Sequence, residues 1–176
     1  MAAASSVVAS PVAPAAAPWL SQAAISTASL ILKSHRLAFG TMPMAPLPAD
    51  ATPEQWAQAL FASERVVLAH DGNDPADDPG PRLIYANRAA LRLWRRPWAE
   101  LVGMPSRLTA EPAERAQRAQ ALQRAQSQQA ISNYSGIRID SQGRRFRIEG
   151  ARVFSLRNET GEPCGQAACF AHWHWI

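Results

Sequence analysis

YSGIRIDSQGRRFRIEGARVFSLRNETGEPCGQAACFAHWHWI, residues 134–176, decides the fold class of this chain, because it has the pattern of three strands joined by two tight turns. The predicted strands are Tyr134–Asp140, Arg145–Leu156 and Cys164–Ile176. The turns between them, Ser141–Gly143 and Asn158–Gly161, contain the Gly, Asn and Ser residues that tight turns favour. The middle strand alternates, and we expect one of its faces to carry Phe146, Ile148, Phe154 and Leu156. An antiparallel meander is the simplest arrangement of these strands.

Upstream of the meander the sequence predicts two strands and three helical segments. RVVLAH at 65–70 and Leu83–Tyr85 are strand-like, and the loop between them is rich in Asp, Pro and Gly. Asn87 is placed to cap the helix NRAALRLW, and 98–102 forms one further helical turn. Ala113 to about Ala130 is the clearest helix. Its predicted inward face is Ala116, Ala119, Leu122 and Ala125, with Arg115, Arg118 and Arg124 beside it.

The order of elements predicts an α+β fold: a five-stranded antiparallel sheet flanked by helices, with an N-terminal helical extension. We divide the chain into a disordered Ala/Ser/Pro-rich tail at 1–20, the helical extension at 21–64 and a core at 65–176. Ser21 and Thr52 are the predicted N-caps of two helices in the extension. The last strand is apolar on both faces, so the N-terminal helix is expected to cover its outer side.

These strings together resemble a known family. YANRAAL followed by ELVGMPSRL resembles the second strand and following helices of PAS domains. The longer series LAHDG, YANRAALRLW, LVGMPSRLTAEP, YSGIRIDSQGRRFRIEGARVF and GQAACFAHW resembles the MEKHLA family, PAS-related domains that stand alone in bacteria and end certain plant homeodomain regulators. The resemblance covers about residues 25–176 and implies a stand-alone, bacterial-type sensory or regulatory domain. It does not supply a ligand or cofactor.

Charge and composition limit the classes of partner. The net charge is +4, yet acids dominate residues 50–80 and fifteen arginines lie in 82–157. A solvated Arg-rich surface and an acidic partner both explain this pattern. Aromatic residues are not interleaved with the arginines, which disfavours nucleic acid. No apolar run is long enough to span a membrane, and the first residues lack the basic start of a signal peptide, so we expect a cytoplasmic protein.

Five residues are candidates for binding a small molecule. GMPSRL at 103–108 occupies the place of the string that carries the reactive cysteine in flavin photosensors of the PAS class. Ser106 stands at the cysteine position and cannot form a thiol adduct, while Arg107 is retained and could face an anionic ligand. Tyr134 and Asn87 are candidate polar groups of a pocket, although Asn87 also suits a helix cap, and His70 ends a strand. The expected pocket lies between the sheet and the helices at 87–130.

Neither a metal site nor a catalytic centre is predicted. His172 and His174 share one strand face, but the sequence offers no third ligand at a supporting spacing. His70-Asp71 suggests acid/base chemistry, yet there is no G-x-S-x-G elbow and no Gly-rich phosphate loop. The long helix carries no His for a haem iron. We therefore expect no enzyme.

Two surfaces are candidates for protein contacts. Ile25, Ile31 and Leu32 lie on the N-terminal helix, an element through which PAS domains often dimerise. Trp94 and Trp98 flank two arginines, and Trp and Arg are enriched in interfaces, although Trp94 also suits a core position. The leading hypothesis is a soluble sensor that binds a small molecule or a partner and forms a homodimer. The alternatives are a ligand-free interaction module and a small enzyme on a cone-shaped α+β fold.

Overall fold

The computed structural model describes residues 17–176, and the tail predicted for 1–20 lies mostly outside this range. Its last residues, Pro18–Leu20, form a 3₁₀ turn. The Trp19 ring stacks on Phe61 with the ring centroids 3.9 Å apart. Residues 18–20, which were assigned to the tail, therefore pack with the helical extension, because the Trp19 ring has an apolar partner there.

Both helices of the N-terminal extension begin where their caps predict. Helix α1, Gln22–Phe39, starts after Ser21, whose hydroxyl accepts a hydrogen bond from the Ala24 N–H. Helix α2, Pro53–Ala62, starts after Thr52, which forms a reciprocal capping box with Gln55. The helices that follow are α3, Arg88–Trp94; α4, Trp98–Leu101; a 3₁₀ turn, Ser106–Thr109; and α5, Pro112–Gln128.

The strands form one antiparallel sheet, so the predicted α+β architecture is confirmed. They are β1, Val66–His70; β2, Leu83–Ala86; β3, Ala130–Ile139; β4, Arg145–Arg157; β5, Pro163–Phe170; and β6, His172–Trp175. Their order is β2-β1-β5-β4-β3, and β6 pairs with the first part of β4. The predicted last strand is thus divided at Ala171, and β3 begins four residues before the predicted Tyr134.

A bulge in β4 overturns the prediction that one face of this strand carries four large apolar residues. Phe146 and Ile148 pack on one side of the sheet, whereas Phe154 and Leu156 pack on the other. The register with β3 shifts near Gly150, which has a φ of 61° that few other residues adopt. An extra residue at this point reverses the alternation, and each half of β4 faces a different core.

The sheet is covered on both faces. Helices α1 and α2 pack on the outer face, against a core that includes Val67, Phe154 and Cys169, as predicted for the N-terminal helix. The opposite face carries Leu68, Phe170 and their neighbours, and α3 and α5 lie over it. None of the helices in residues 17–176 is both long and apolar enough to cross a membrane.

Candidate functional site: an internal cavity beneath α5

A cavity of about 50 Å³ lies between the sheet and α5. This is the position predicted for a pocket. The volume exceeds what one water molecule needs, but it is far below the ~300–1,000 Å³ of sites for drug-sized ligands. Most of its wall is apolar and comes from the strands and α3. The main apolar residues are Leu68, Leu83, Trp94, Ile148 and Phe170.

Arg118 of α5 lines this cavity, although its position in the sequence predicted an exposed flank of the helix. The predicted inward face was wrong for Ala116 and Ala119, because both are exposed. Ala121 and Ala125 are buried instead, and Arg118 lies one turn before them. Burial, followed by the nearby positive charge of Arg138, lowers the pKa of Arg118 to about 9. The side chain still carries its positive charge at pH 7.

Arg138 and Tyr134, two residues of β3, form the adjoining part of the wall. The Arg138 Nη2 donates a hydrogen bond to the Tyr134 hydroxyl at 2.8 Å, and Nη1 donates to the Ile137 carbonyl at 2.7 Å. Gly136 lies between them in the strand. A Cβ at this position would come within 2.6 Å of the Tyr134 hydroxyl and 3.0 Å of Arg138 Nη1. The absence of a side chain at Gly136 therefore permits the pair to form.

His70 contributes an unpartnered nitrogen to the same cavity. It ends β1 and is 8 % exposed. Its Nδ1 accepts a hydrogen bond from the Gly72 N–H at 3.1 Å, which puts the proton of the neutral ring on Nε2. The Gln166 side chain lies close enough to Nε2 to raise the pKa of His70 slightly, but no contact of Nε2 with the described residues reaches hydrogen-bond geometry. Burial lowers the pKa of His70 to about 4, and Arg118 acts in the same direction, so the ring is neutral at pH 7.

A second, wider cleft of about 390 Å³ adjoins the cavity. The loop that follows β1 and the exposed side of α5 form it, and it shares His70, Leu122 and Gln166 with the cavity. The Gln166 Nε2 donates to the Leu122 carbonyl at 2.8 Å. This bond joins β5 to α5 at the boundary between the cavity and the cleft.

The comparisons with known proteins agree with this architecture. A model of the MEKHLA domain family matches residues 25–175. The chain belongs to the MEKHLA domain family. A search of curated proteins gives no significant match.

Solved structures with PAS and light-oxygen-voltage (LOV) domains share the fold of this MEKHLA domain. An RNA-binding LOV receptor is 19 % identical with a TM-score of 0.58, covering 71 % of this chain and 35 % of that one. The PAS domain of a protein from Colwellia psychrerythraea is 15 % identical with a TM-score of 0.57, covering 70 % and 95 %. A LOV domain studied with a flavin analogue is 15 % identical with a TM-score of 0.52, covering 68 % and 83 %.

These identities establish the fold alone. The chain spans about a third of the length of the RNA-binding receptor. Family and fold together make this chain a PAS-like sensory domain.

Of the predicted ligand-binding residues, Tyr134 and His70 line the cavity of the MEKHLA domain, whereas Arg107 and Ser106 do not. The Arg107 guanidinium donates to the Pro79 carbonyl and lies 3.3 Å from the Asp78 carboxylate, so it holds the loop after β1. Ser106 is buried in the 3₁₀ turn, and its hydroxyl has no hydrogen-bond partner.

Asn87 is a structural residue. It is fully buried, its Oδ1 accepts hydrogen bonds from the N–H groups of Val67 and Ala90, and its Nδ2 donates to backbone carbonyls. It therefore caps α3 and ties it to β1, which is the second of the two roles considered for it.

Most of the predicted interface residues lie in the chain's own core. Ile25, Ile31 and Leu32 are buried between α1 and the sheet, so they are not available to a partner. Trp94 is 2 % exposed and packs against Phe146 with ring centroids 5.1 Å apart. These assignments are corrected, because apolar surface that the sheet needs for its own core is not left for an interface. Trp98 is half-buried.

The remaining histidine pair lies on β6. His172 and His174 are exposed, and His174 is 3.7 Å from the Glu149 carboxylate. Within residues 17–176 no group of three His, Cys, Asp or Glu side chains is arranged to hold a metal ion.

Proposed function

We propose that this MEKHLA domain is a sensor whose small-molecule ligand binds in the cavity beneath α5. One observation carries the proposal: the Arg118 guanidinium and the buried His70 Nε2 line the same cavity, and among the described residues neither has a partner at hydrogen-bond geometry. Buried polar groups are nearly always hydrogen-bonded, and exceptions point to a function or to a missing partner. A ligand that supplies acceptors would remove both exceptions.

Helix α5 is suited to report occupancy. Its only buried residues are Ala121 and Ala125, so little apolar area anchors it to the sheet. Gln166 and Leu122 add one hydrogen bond. A ligand that contacts both Arg118 and the sheet would strengthen this attachment, and the change in helix position or mobility would be the signal.

A non-catalytic role is part of the proposal. His70 and Asp71 are adjacent in sequence, but their side chains serve different sites. The Asp71 carboxylate accepts hydrogen bonds from the backbone N–H groups of Asn73 and Arg82. It therefore organises the loop and does not orient the imidazole, as a catalytic carboxylate would.

Native mass spectrometry of the full chain tests the proposal. We expect the natively purified protein to carry an additional mass that is lost under denaturing conditions. Ala168 lines the cavity, so Ala168→Leu fills it and should abolish that mass. The matched control is Ala116→Leu, which adds the same atoms on the exposed side of α5, away from the cavity and the cleft, and should retain it. A bare chain in every preparation, with no small molecule bound from a metabolite extract, would refute the sensor and favour the ligand-free interaction module.

The homodimer and the cytoplasmic location stay predictions from the sequence. The mass measured in the same native experiment reports the oligomeric state. With the N-terminal helix face covered, the exposed large apolar side chains include Leu37, Trp173, Trp175 and Ile176.

A further inference from the structure

The cavity beneath α5 has a positively charged wall. Arg118 and Arg138 both line it, and within residues 17–176 no Asp or Glu does. Arg138 is 6 % exposed. Neither arginine forms an ion pair with any described residue, whereas Arg107, Arg144 and Arg145 on the surface all do. Exposed arginines such as Arg92 and Arg124 also lack an ion pair, but water solvates their charge, whereas Arg118 and Arg138 line the cavity.

Two uncompensated cations in a partly dry cavity are costly. Removing an ion from water costs several kcal/mol unless an opposite charge and hydrogen bonds replace the water. The Arg138 guanidinium makes two hydrogen bonds and lies 5.5 Å from the centre of the Tyr134 ring, contacts that supply no negative charge. Arg118 makes no hydrogen bond with the described residues. An anion would satisfy both side chains at once.

Two further polar groups of the wall have a free donor, whereas Thr109 and Gln166 already donate to the carbonyls of Ser106 and Leu122. His70 Nε2 carries the ring proton and has no hydrogen-bond partner among the described residues. The Tyr134 hydroxyl accepts from Arg138, which leaves its own proton free to donate. Donors therefore come from α5, β3 and β1, and most of the remaining wall residues are apolar.

We propose that the cavity binds the carboxylate of a small organic acid, with Arg118 and Arg138 neutralising its charge and His70 donating a hydrogen bond to it. This inference rests on the proposed function and specifies the ligand class. The hydrocarbon part of the acid lies against Leu68 and Phe170. A carboxylate fits better than a phosphate, because the small volume and apolar wall offer little to the additional oxygens and second charge of a phosphate.

The test compares acids with their uncharged amides on the full chain. Sodium acetate and sodium propionate, small enough for a cavity of about 50 Å³, are matched against acetamide and propionamide, at equal ionic strength, by thermal shift and by calorimetry. We expect the acids to raise the melting temperature and the amides to leave it unchanged. Arg118→Gln should weaken binding of the acids at least about tenfold, which corresponds to the loss of one charge-assisted contact. Arg124→Gln, on the exposed side of the same helix, should bind like the wild type.

A second readout separates ligand binding from a structural role. Because Arg118 has no partner in the described residues, Arg118→Met should leave the melting temperature of the empty protein unchanged or raise it. A marked fall would show that the guanidinium stabilises the fold and would overturn the inference. Equal binding of acids and amides would also overturn it, while leaving the small-molecule sensor intact. If neither series binds, the inference fails, and native mass spectrometry decides the proposed function separately.

Discussion

Asn87→Asp replaces one amide nitrogen by an oxygen with almost no change in size, at a site where the structure demands a donor. Asn87 is fully buried. Its Oδ1 accepts two hydrogen bonds, at 3.0 and 3.1 Å, which an aspartate would keep. Its Nδ2 lies 2.6, 3.2 and 3.4 Å from three backbone carbonyl oxygens, those of Arg65, Ser63 and Leu60. An ionised carboxylate would place a negative charge against all three.

The magnitude follows from these contacts. The introduced carboxyl must remain protonated in the folded protein, because a buried anion facing carbonyl oxygens is far too costly. Loss of the second amide hydrogen costs about 1–3 kcal/mol. Holding the proton at pH 7, when the unfolded chain releases it near pH 3.9, costs about 4 kcal/mol more. We therefore expect Asn87→Asp to lower the free energy of unfolding by about 5–7 kcal/mol at pH 7. The folded-state pKa is raised, so the penalty grows as pH rises and shrinks by about 2.7 kcal/mol from pH 7 to pH 5.

Urea unfolding is followed by tryptophan fluorescence for the variant and the wild type at each pH. The comparison gives the difference in their free energies of unfolding. The control is Asn158→Asp, at an exposed turn where the side-chain oxygen accepts from backbone N–H groups. It should change stability by less than about 1 kcal/mol. A penalty for Asn87→Asp below about 1 kcal/mol at pH 7, or one that does not change between pH 7 and pH 5, would refute the role assigned to the Asn87 amide.

Three further predictions concern stability. The pKa of His70 is about 4 in the folded protein and about 6.5 in the unfolded chain. Lowering the pH from about 6.5 to about 4 should therefore reduce the free energy of unfolding, measured by urea titration, by about 3 kcal/mol, and His70→Asn should abolish this part of the pH dependence. Burial alone would raise the pKa of Asp140, but three hydrogen bonds accepted within its turn hold the pKa below its usual value, so its stabilisation is present above about pH 4 and is lost below it. Asp140→Asn should lower the free energy of unfolding, measured by calorimetry at pH 7, by about 1–3 kcal/mol. Glu100→Gln, which breaks an exposed ion pair, should lower it by less than about 1 kcal/mol, and similar losses for the two variants would contradict the stabilising role of the Asp140 turn. Trp94→Ala should lower the free energy of unfolding by about 3–5 kcal/mol because it empties a core site, and Trp175→Ala, at a half-exposed position, should lower it much less. A larger loss for Trp175→Ala in chemical denaturation would contradict the core position of Trp94.

The sequence predicted the elements whose signals are local. Ser21, Thr52 and Asn87 cap their helices as expected, because a cap is a contact between residues three positions apart. The strands of the meander were also found, since alternation and turn residues lie within the segment that folds.

The predictions that failed depended on packing between distant segments. The bulge near Gly150 changes which face Phe154 occupies, and its only sequence signal is a glycine within a strand pattern. Arg118 was assigned to the flank of α5 because charged residues are mostly exposed. The spacing of 118, 121 and 125 is equally helical, but only the sheet beneath the helix decides between the two faces.

The last eight-residue strand of the meander, β5, does not lie at the edge of the sheet but in its middle, between β1 and β4. Phe170 of β5 pairs with Val66 of β1, which lies about a hundred residues earlier in the chain. A ribosome adding roughly 5–20 residues per second would therefore expose β1, α1 and α2 for many seconds before the strand that joins them to the rest is made. A chain that stops before β5 lacks the strand that joins the β1–β2 pair to the β3–β4 pair, so the apolar surface of the earlier segments stays uncovered until the end of synthesis.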